Sequence, residues 1–283
     1  MQAIFNKLQS CLNQLKPPAG LGDVALALSG MPPKKRVQKT SALLSRLDLH
    51  GAFPLNAAAH QAAITVLKSK GVPYKLRRDN AILVQGDLDF SGDDLAALPD
   101  LSSVIVAGNF SCSRNRLTSL CGAPVFVGGD FRCSGNRLLN LHGAPKEVGG
   151  NFACSENLLE TLEGAPETVG GSFYASDNQL QSLQGGPRRV GKDYHCRQNA
   201  LPTLEGAPES VPGDFKCDDN ELESLKGAPR TFAKLITDFG TFLTWDSIPG
   251  NLHRMPQPQD QTANAAILQE DIRILRPLRL KPS

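Results

Sequence analysis

Long apolar runs are missing from this 283-residue sequence. The longest, such as VALAL at 24–28, falls far below the ~20 residues that a bilayer-spanning helix needs, so no membrane span is expected. Aromatic residues are scarce: one Trp, three Tyr and twelve Phe leave Leu, Val, Ala and Cys to build most of a core. Charge of one sign is not in excess either. A formal net charge of +2 lacks the basic surplus that dedicated nucleic-acid binders carry, which argues against that class of partner. The opening MQAIFNKLQSCLNQLK interrupts its apolar residues with polar ones and shows no secretory pattern. A cytoplasmic protein is therefore expected, with transfer into a host cell by a non-Sec route as the alternative.

Cysteine is present in an odd number, at 11, 112, 121, 133, 154, 196 and 217. Without an export signal, that argues against a disulfide framework. Five of the seven fall into a series with a period of 21. Phe110, Phe131, Phe152, Phe173, Tyr194 and Phe215 form one column, and Cys112, Cys133, Cys154, Ala175, Cys196 and Cys217 follow two places later. Asn115, Asn136, Asn157, Asn178, Asn199 and Asn220 fill a third column without exception. Val106 to Val211 precede the aromatic column; Leu117 to Leu222, Leu120 to Leu225, Gly122 to Gly227 and Pro124 to Pro229 complete the unit. A period of this length marks a solenoid.

Each copy reads F-x-C-x-x-N-x-L-x-x-L, with Gly at the site where a leucine-rich repeat carries its first leucine. The unit resembles the short bacterial type of leucine-rich repeat, and its GG-x-F-x-C-S-x-N-x-L-x-S-L-x-G-A-P wording is similar to a family of bacterial and phage repeat proteins. The resemblance covers residues 84–249. It implies a parallel β-sheet horseshoe; the turn-prone Gly-Ala-Pro gives it a short irregular convex side, and a small helical N-terminal domain, read from residues 1–80, makes the expected fold class α+β. More distantly the resemblance implies likeness to repeat effectors of Gram-negative bacteria.

The columns have physical reasons. Alternate strand residues face opposite ways, so Phe and Cys point inward together. Stacked copies bring their strands to about 4.8 Å and align the apolar rows. Asn at the strand end turns the chain and has both a donor and an acceptor for the neighbouring coil. VQGDLDFSGDDLAALPDL at 84–101 reads as a degenerate first copy with Leu88, Leu95 and Leu98 in place; RTFAKLITDFGTFLTWDSIP at 230–249 reads as an altered seventh. Atypical end copies cap an exposed core.

Three units are expected: a mainly helical 1–80, the solenoid at 81–249, and a linker with a short helix and basic tail at 250–283. Within the first, Ile4, Phe5, Leu8, Leu12 and Leu15 form a helical stripe. Further helices are expected near 38–49 and from Asn56 to Gly71, then a hairpin turning at Asp79-Asn80. PPKKRVQK at 32–39 reads as a solvated loop.

Catalytic and metal constellations are weak. The 21-residue cysteine spacing matches no zinc pattern, so the thiols are expected to be structural, and no cofactor is expected. Cys217-Asp218-Asp219 mimics the C-x-D signature of bacterial effector ubiquitin ligases, but Cys217 sits in the inward column and only 54 residues, 230–283, follow the sixth copy. Ser176, His195 and Asp214 make a diagonal across three coils, too widely spaced for a triad.

Solvent-facing positions vary from copy to copy. One predicted outward row is Asn109, Asp130, Asn151, Ser172, Asp193 and Asp214. The next are Ser111, Arg132, Ala153, Tyr174, His195 and Lys216, and Ser113, Ser134, Ser155, Ser176, Arg197 and Asp218. Early coils are basic through Arg114, Arg116, Arg132 and Arg137; late coils are acidic through Asp193, Asp214, Asp218, Asp219 and Glu221. A bipolar surface suits a folded protein or extended peptide, with Tyr174 as anchor. The expected function is a non-catalytic, monomeric binding module that uses Arg114, Arg132, Tyr174, His195, Arg197, Lys216 and Asp218. The alternatives are an enzyme with its activity in the N-terminal unit, where His50, His60 and Lys75 are the polar candidates, and a structural or phage-associated protein.

Overall fold

The computed structural model describes residues 28, 31, 32, 35, 36, 38–40, 57–78, 80–249 and 252. The chain winds into a parallel-sheet β-solenoid of about seven turns. Where the repeat pattern predicts one sheet, the structure has two. A valine sheet runs through Ile82–Val84, Val104–Val106, Phe126–Val127, Glu147–Val148, Thr168–Val169 and Arg189–Val190. A phenylalanine sheet runs through Leu88–Asp89, Phe110–Ser111, Phe131–Arg132, Phe152–Ala153, Phe173–Tyr174, Tyr194–His195 and Asp214–Lys216. The short x-Val strand is too brief to show a periodicity of its own, so the sequence hides it as an anchor before the glycines.

Register is one coil to the next at every step: Phe131 pairs Phe110 and Phe152, and Val169 pairs Val148 and Val190. The aromatic column consequently stacks, with ring centroids 5.1 Å apart from Phe110 to Phe131 and again to Phe152, and 5.0 Å apart from Tyr194 to Phe215. All six of these rings, and both leucine columns from Leu117 to Leu204, are fully buried. Each fully buried apolar side chain contributes about 1.5–3 kcal/mol.

Two ladders of side-chain hydrogen bonds hold that register. In the first, Asn136 Nδ2 donates to Cys112 O of the coil before and to Cys133 O of its own coil, both at 3.0 Å, and its Oδ1 accepts from Leu117 N. Asn157, Asn178, Asn199 and Asn220 repeat this in the coils that follow. Only an amide supplies both halves, which explains the absence of exceptions.

The second ladder corrects an expectation. The row Asn109, Asp130, Asn151, Ser172, Asp193 and Asp214 is expected to face solvent, yet the first five of its side chains run between coils. Asn109 Oδ1 accepts from Asp130 N at 2.9 Å, Asp130 Oδ1 from Asn151 N at 2.9 Å, Asn151 Oδ1 from Ser172 N at 2.8 Å, and Asp193 Oδ1 from Asp214 N at 3.0 Å. Ser172 Oγ takes the same role toward Asp193 N. Any short acceptor serves, so the letters differ while the job stays fixed. The ladder also dictates a glycine: a β-carbon at Gly129, Gly150, Gly171 or Gly213 would overlap the acceptor of the coil before. The exception is Lys192, which follows the one coil whose acceptor is the shorter serine, Ser172.

A second pair of departures is linked in the same way. Tyr194 replaces Phe, and Gly186 replaces the Ala of Gly-Ala-Pro. A β-carbon on Gly186 would lie 2.9 Å from Leu183 O, 3.0 Å from Leu162 Cδ1 and 3.2 Å from Tyr194 Oη, so the added hydroxyl is one of three groups that crowd this position. That hydroxyl is buried without a hydrogen-bond partner among the described residues.

The ends are closed by different elements. Helix α1, Ala57–Ser69, buries Ala59, Ala63 and Leu67 along one face; Ala63, Ile64 and Leu67 join the solenoid core. It stops where expected: Gly71, at φ 64°, lets Val72 N reach Leu67 O and its own N–H reach Lys68 O. Tyr74–Leu76 then pairs antiparallel with Ile82–Val84, the expected hairpin feeding the first coil. Leu88 and Phe90 lie beneath Phe110 and Cys112, so the degenerate first copy is in place. At the other end Lys234–Thr237 extends the phenylalanine sheet in parallel, and Gly240–Phe242 folds back antiparallel to close it. The helix expected near 38–49 is described only at 38–40, where it is helical; the stripe at 4–15 and the helix in the C-terminal tail lie outside the described residues. The basic stretch at 32–39 is not simply solvated, since Arg36 pairs with Asp130 at 3.1 Å and both side chains are largely buried. Cys121 is disulfide-bonded, whereas the five cysteines of the 21-residue series are free, so no disulfide framework links the coils through them.

Asn157→Asp keeps an acceptor for Leu138 N but removes the amide donor to Cys133 O and Cys154 O, which retain only their bonds from Asn136 and Asn178, and it sets a buried charge beside those two carbonyl oxygens. A loss of about 3 kcal/mol or more is expected by chemical denaturation. Gly186→Ala alone is expected to destabilise by about 1–3 kcal/mol. Combined with Tyr194→Phe it restores the common repeat pair and removes a buried unpaired hydroxyl, so the double variant should recover part of that loss.

Candidate functional site on the phenylalanine sheet

Alternation puts Phe and Cys into the core and the residues between them on the outer face. Ser111, Arg132, Ala153, Tyr174, His195 and Lys216 therefore form one in-register row across six coils. Tyr174 and His195 meet edge to face, with centroids 4.9 Å apart and an interplanar angle of 80°, a favoured aromatic geometry. In the neighbouring row, Arg197 Nε donates to Asp218 Oδ2 at 2.8 Å and its Nη2 reaches Asp219 at 3.2 Å.

The structure gathers five of the seven expected residues. Tyr174, His195 and Lys216 occupy three consecutive strands, and Arg197 and Asp218 lie beside them one row along. Arg132 lies two strands from Tyr174, roughly 10 Å at the ordinary strand spacing. Arg114 is separate: it sits past the strand end at φ 55°, in the left-handed turn that precedes each ladder asparagine.

The bipolar charge pattern is partly neutralised, by one pair within a coil and by others between coils. Arg132 pairs with Asp130 at 2.6 Å, Arg116 with Asp94 at 2.7 Å, and Arg197 with Asp218 and Asp219. Among the described residues, Arg114 and Lys216 make no ion pair. Asp219 was counted as part of a charged surface and is in fact Arg197's second partner; its offset of 22 from Arg197, one coil plus one residue, carries that signal.

Two polar atoms in this cluster are buried without a hydrogen-bond partner among the described residues, His195 Nε2 and Asp218 Oδ1. The diagonal of Ser176, His195 and Asp214 is thus not joined through Nε2. Burial, helped by the nearby Lys216, pushes the His195 imidazole below its ordinary value, against the opposing pull of Asp193 and Asp214. The repeat thiols face the opposite way. Cys112, Cys133, Cys154, Cys196 and Cys217 are free and buried, and burial pushes each thiol far above the usual range. A thiol held neutral is neither nucleophile nor metal ligand. Cys133 and Cys154 instead donate to Ala153 O and Tyr174 O of the next coil.

Among the described residues no group of three or more His, Cys, Asp or Glu is placed to hold a metal ion, and no helix is long and apolar enough to cross a membrane. The chain matches no protein-family model and no curated protein.

Because the folded protein binds the His195 proton less tightly than the unfolded chain does, stability should fall as the pH drops through the ordinary imidazole value of 6.5. His195→Gln is expected to flatten that slope between about pH 7 and 5. Denaturation midpoints of the two proteins across this range check it.

Proposed function

We propose that the protein is a non-catalytic interaction module that binds a protein or an extended peptide on the outer face of the phenylalanine sheet. In this reading the coils are leucine-rich repeats of the short bacterial type, with residues 1–80 as a small helical unit. The protein works in the cytoplasm, its own or, as a translocated effector, that of a host.

The observation that carries the proposal is the cluster around Tyr174 and His195. An edge-to-face aromatic pair stands on the outer face beside Lys216 and an Arg197–Asp218 ion pair. Aromatic and arginine side chains are the types that dominate interface energetics. The inner columns of the same strands hold to Phe and Cys with a single substitution each, so the variety on the outer face is not a relaxation of the whole coil.

A photo-crosslinking residue in place of Tyr174 should trap a partner that the same residue in place of Ser210, exposed beside the valine sheet, does not. Tyr174→Ala and His195→Ala should each weaken binding of that partner by about 30-fold. Equal trapping at both positions, or binding within twofold of the natural protein, would falsify the assignment.

A further inference from the structure

The two glycines of the Gly-Gly corner have different neighbours. The second faces the acceptor ladder. The first faces a separate part of the chain: a β-carbon on Gly128 would run into the Thr40 side chain, and one on Gly149 would lie 2.9 Å from Leu28 Cδ1. Arg36 crosses the same corner, with Nη1 on Asp130 Oδ1 at 3.1 Å and Nη2 on Met31 O at 3.0 Å. Thr40 Oγ1 in turn donates to Arg36 O at 2.9 Å. Leu28 and Thr40 have no exposed surface.

Beside this corner lies the outer face of the valine sheet, and its burial is uneven. Leu83, Ile105, Phe126, Glu147, Thr168 and Arg189 form its outward row. Ile105 and Phe126 are completely buried, yet neither belongs to the solenoid core. Thr168 is buried too, while Arg189 and Ser210 are exposed. The row is apolar where it is covered first and polar where the cover ends. Phe126 and Gly128 are two residues apart and so share a side of the chain, and Gly128 is the residue on which Thr40 rests.

We infer that the segment carrying Leu28, Met31, Arg36 and Thr40 is a strap whose described residues sit on the outer face of the valine sheet, covering Ile105 and Phe126, and that Arg36 fastens it by recognising the negative charge of Asp130. Asp130 then has two tasks. One oxygen accepts the ladder bond from Asn151 N and the Arg36 contact; the other holds Arg132. Asn fills this ladder column at 109 and 151, so the ladder has no need of a charge at 130, whereas Arg36 does. The strap assigns the solenoid's two sheets different fates: the valine face is taken by the chain itself, whereas among the described residues no such segment lies on the phenylalanine face. The inference stands whether or not a partner binds at Tyr174.

The test uses the full chain with Ile105→Cys as reporter, labelled by a small thiol reagent and read at position 105 by peptide mass mapping. In this background labelling should be slow. Adding Arg36→Gln, or Asp130→Asn, should speed it by about tenfold or more, and should likewise speed trypsin cleavage at the basic residues between 34 and 39. The thermal midpoint of Asp130→Asn should stay close to that of the natural protein, because its ladder is intact. Fast labelling before either substitution, or unchanged labelling and cleavage after both, overturns the inference. So does protection that weakens on dilution, which would make the cover a second copy. Arg36→Gln leaves every solenoid side chain in place and keeps the test decisive if the Asp130 variant misfolds.

Discussion

Each coil is tied to the one before it by a carboxamide that gives and receives at once. Asn136, Asn157, Asn178, Asn199 and Asn220 donate to a carbonyl of the previous coil and to one of their own, and accept a backbone N–H from the previous coil. These groups are largely cut off from water, so a slip by one residue would strand several of them at about 1–3 kcal/mol each. The apolar columns by themselves do not supply this discrimination. A phenylalanine buried one place out of line still removes much of its surface from water, whereas a hydrogen bond one residue out of line is lost.

Fixed register makes the coils nearest-neighbour objects, and this explains where the repeat tolerates change. A departure in one coil is compensated in the adjoining one, as Ser172 with Lys192, or within the space shared by two, as Tyr194 with Gly186. The outer row of the phenylalanine sheet is under no such constraint, since its residues touch chiefly each other and solvent. Variety can accumulate there, and the Tyr174–His195 pair and the Arg197–Asp218 bridge are its products.

Much of the solenoid was legible because burial and hydrogen bonding recur every 21 residues and write themselves into columns. The inward Phe, Cys and Leu, the turning Asn, the altered end copies, the α1 stop at Gly71 and the hairpin before the first coil were all readable from residue type and spacing. The acceptor row at 109–214 was misread for a chemical reason. Asp, Asn and Ser differ in charge and size but share an oxygen at the right reach, so a fixed function appears as a variable column. The flanking glycines held the clue, because each makes room for the acceptor of the coil before. Five of the expected surface residues proved to be neighbours, while Arg114 was set apart by a left-handed turn and Arg132 was engaged by Asp130.

The sequence by itself determined the period, the identity of the buried columns, and hence which strand residues face inward, because periodic burial demands periodic composition. Tertiary structure alone decided that each coil carries two sheets, that several surface charges are joined between coils, and that Arg36 reaches a coil 94 residues away. A two-residue strand has no period to display, and an ion pair between distant segments leaves no spacing in the chain. Such contacts exist only once winding has brought the segments together.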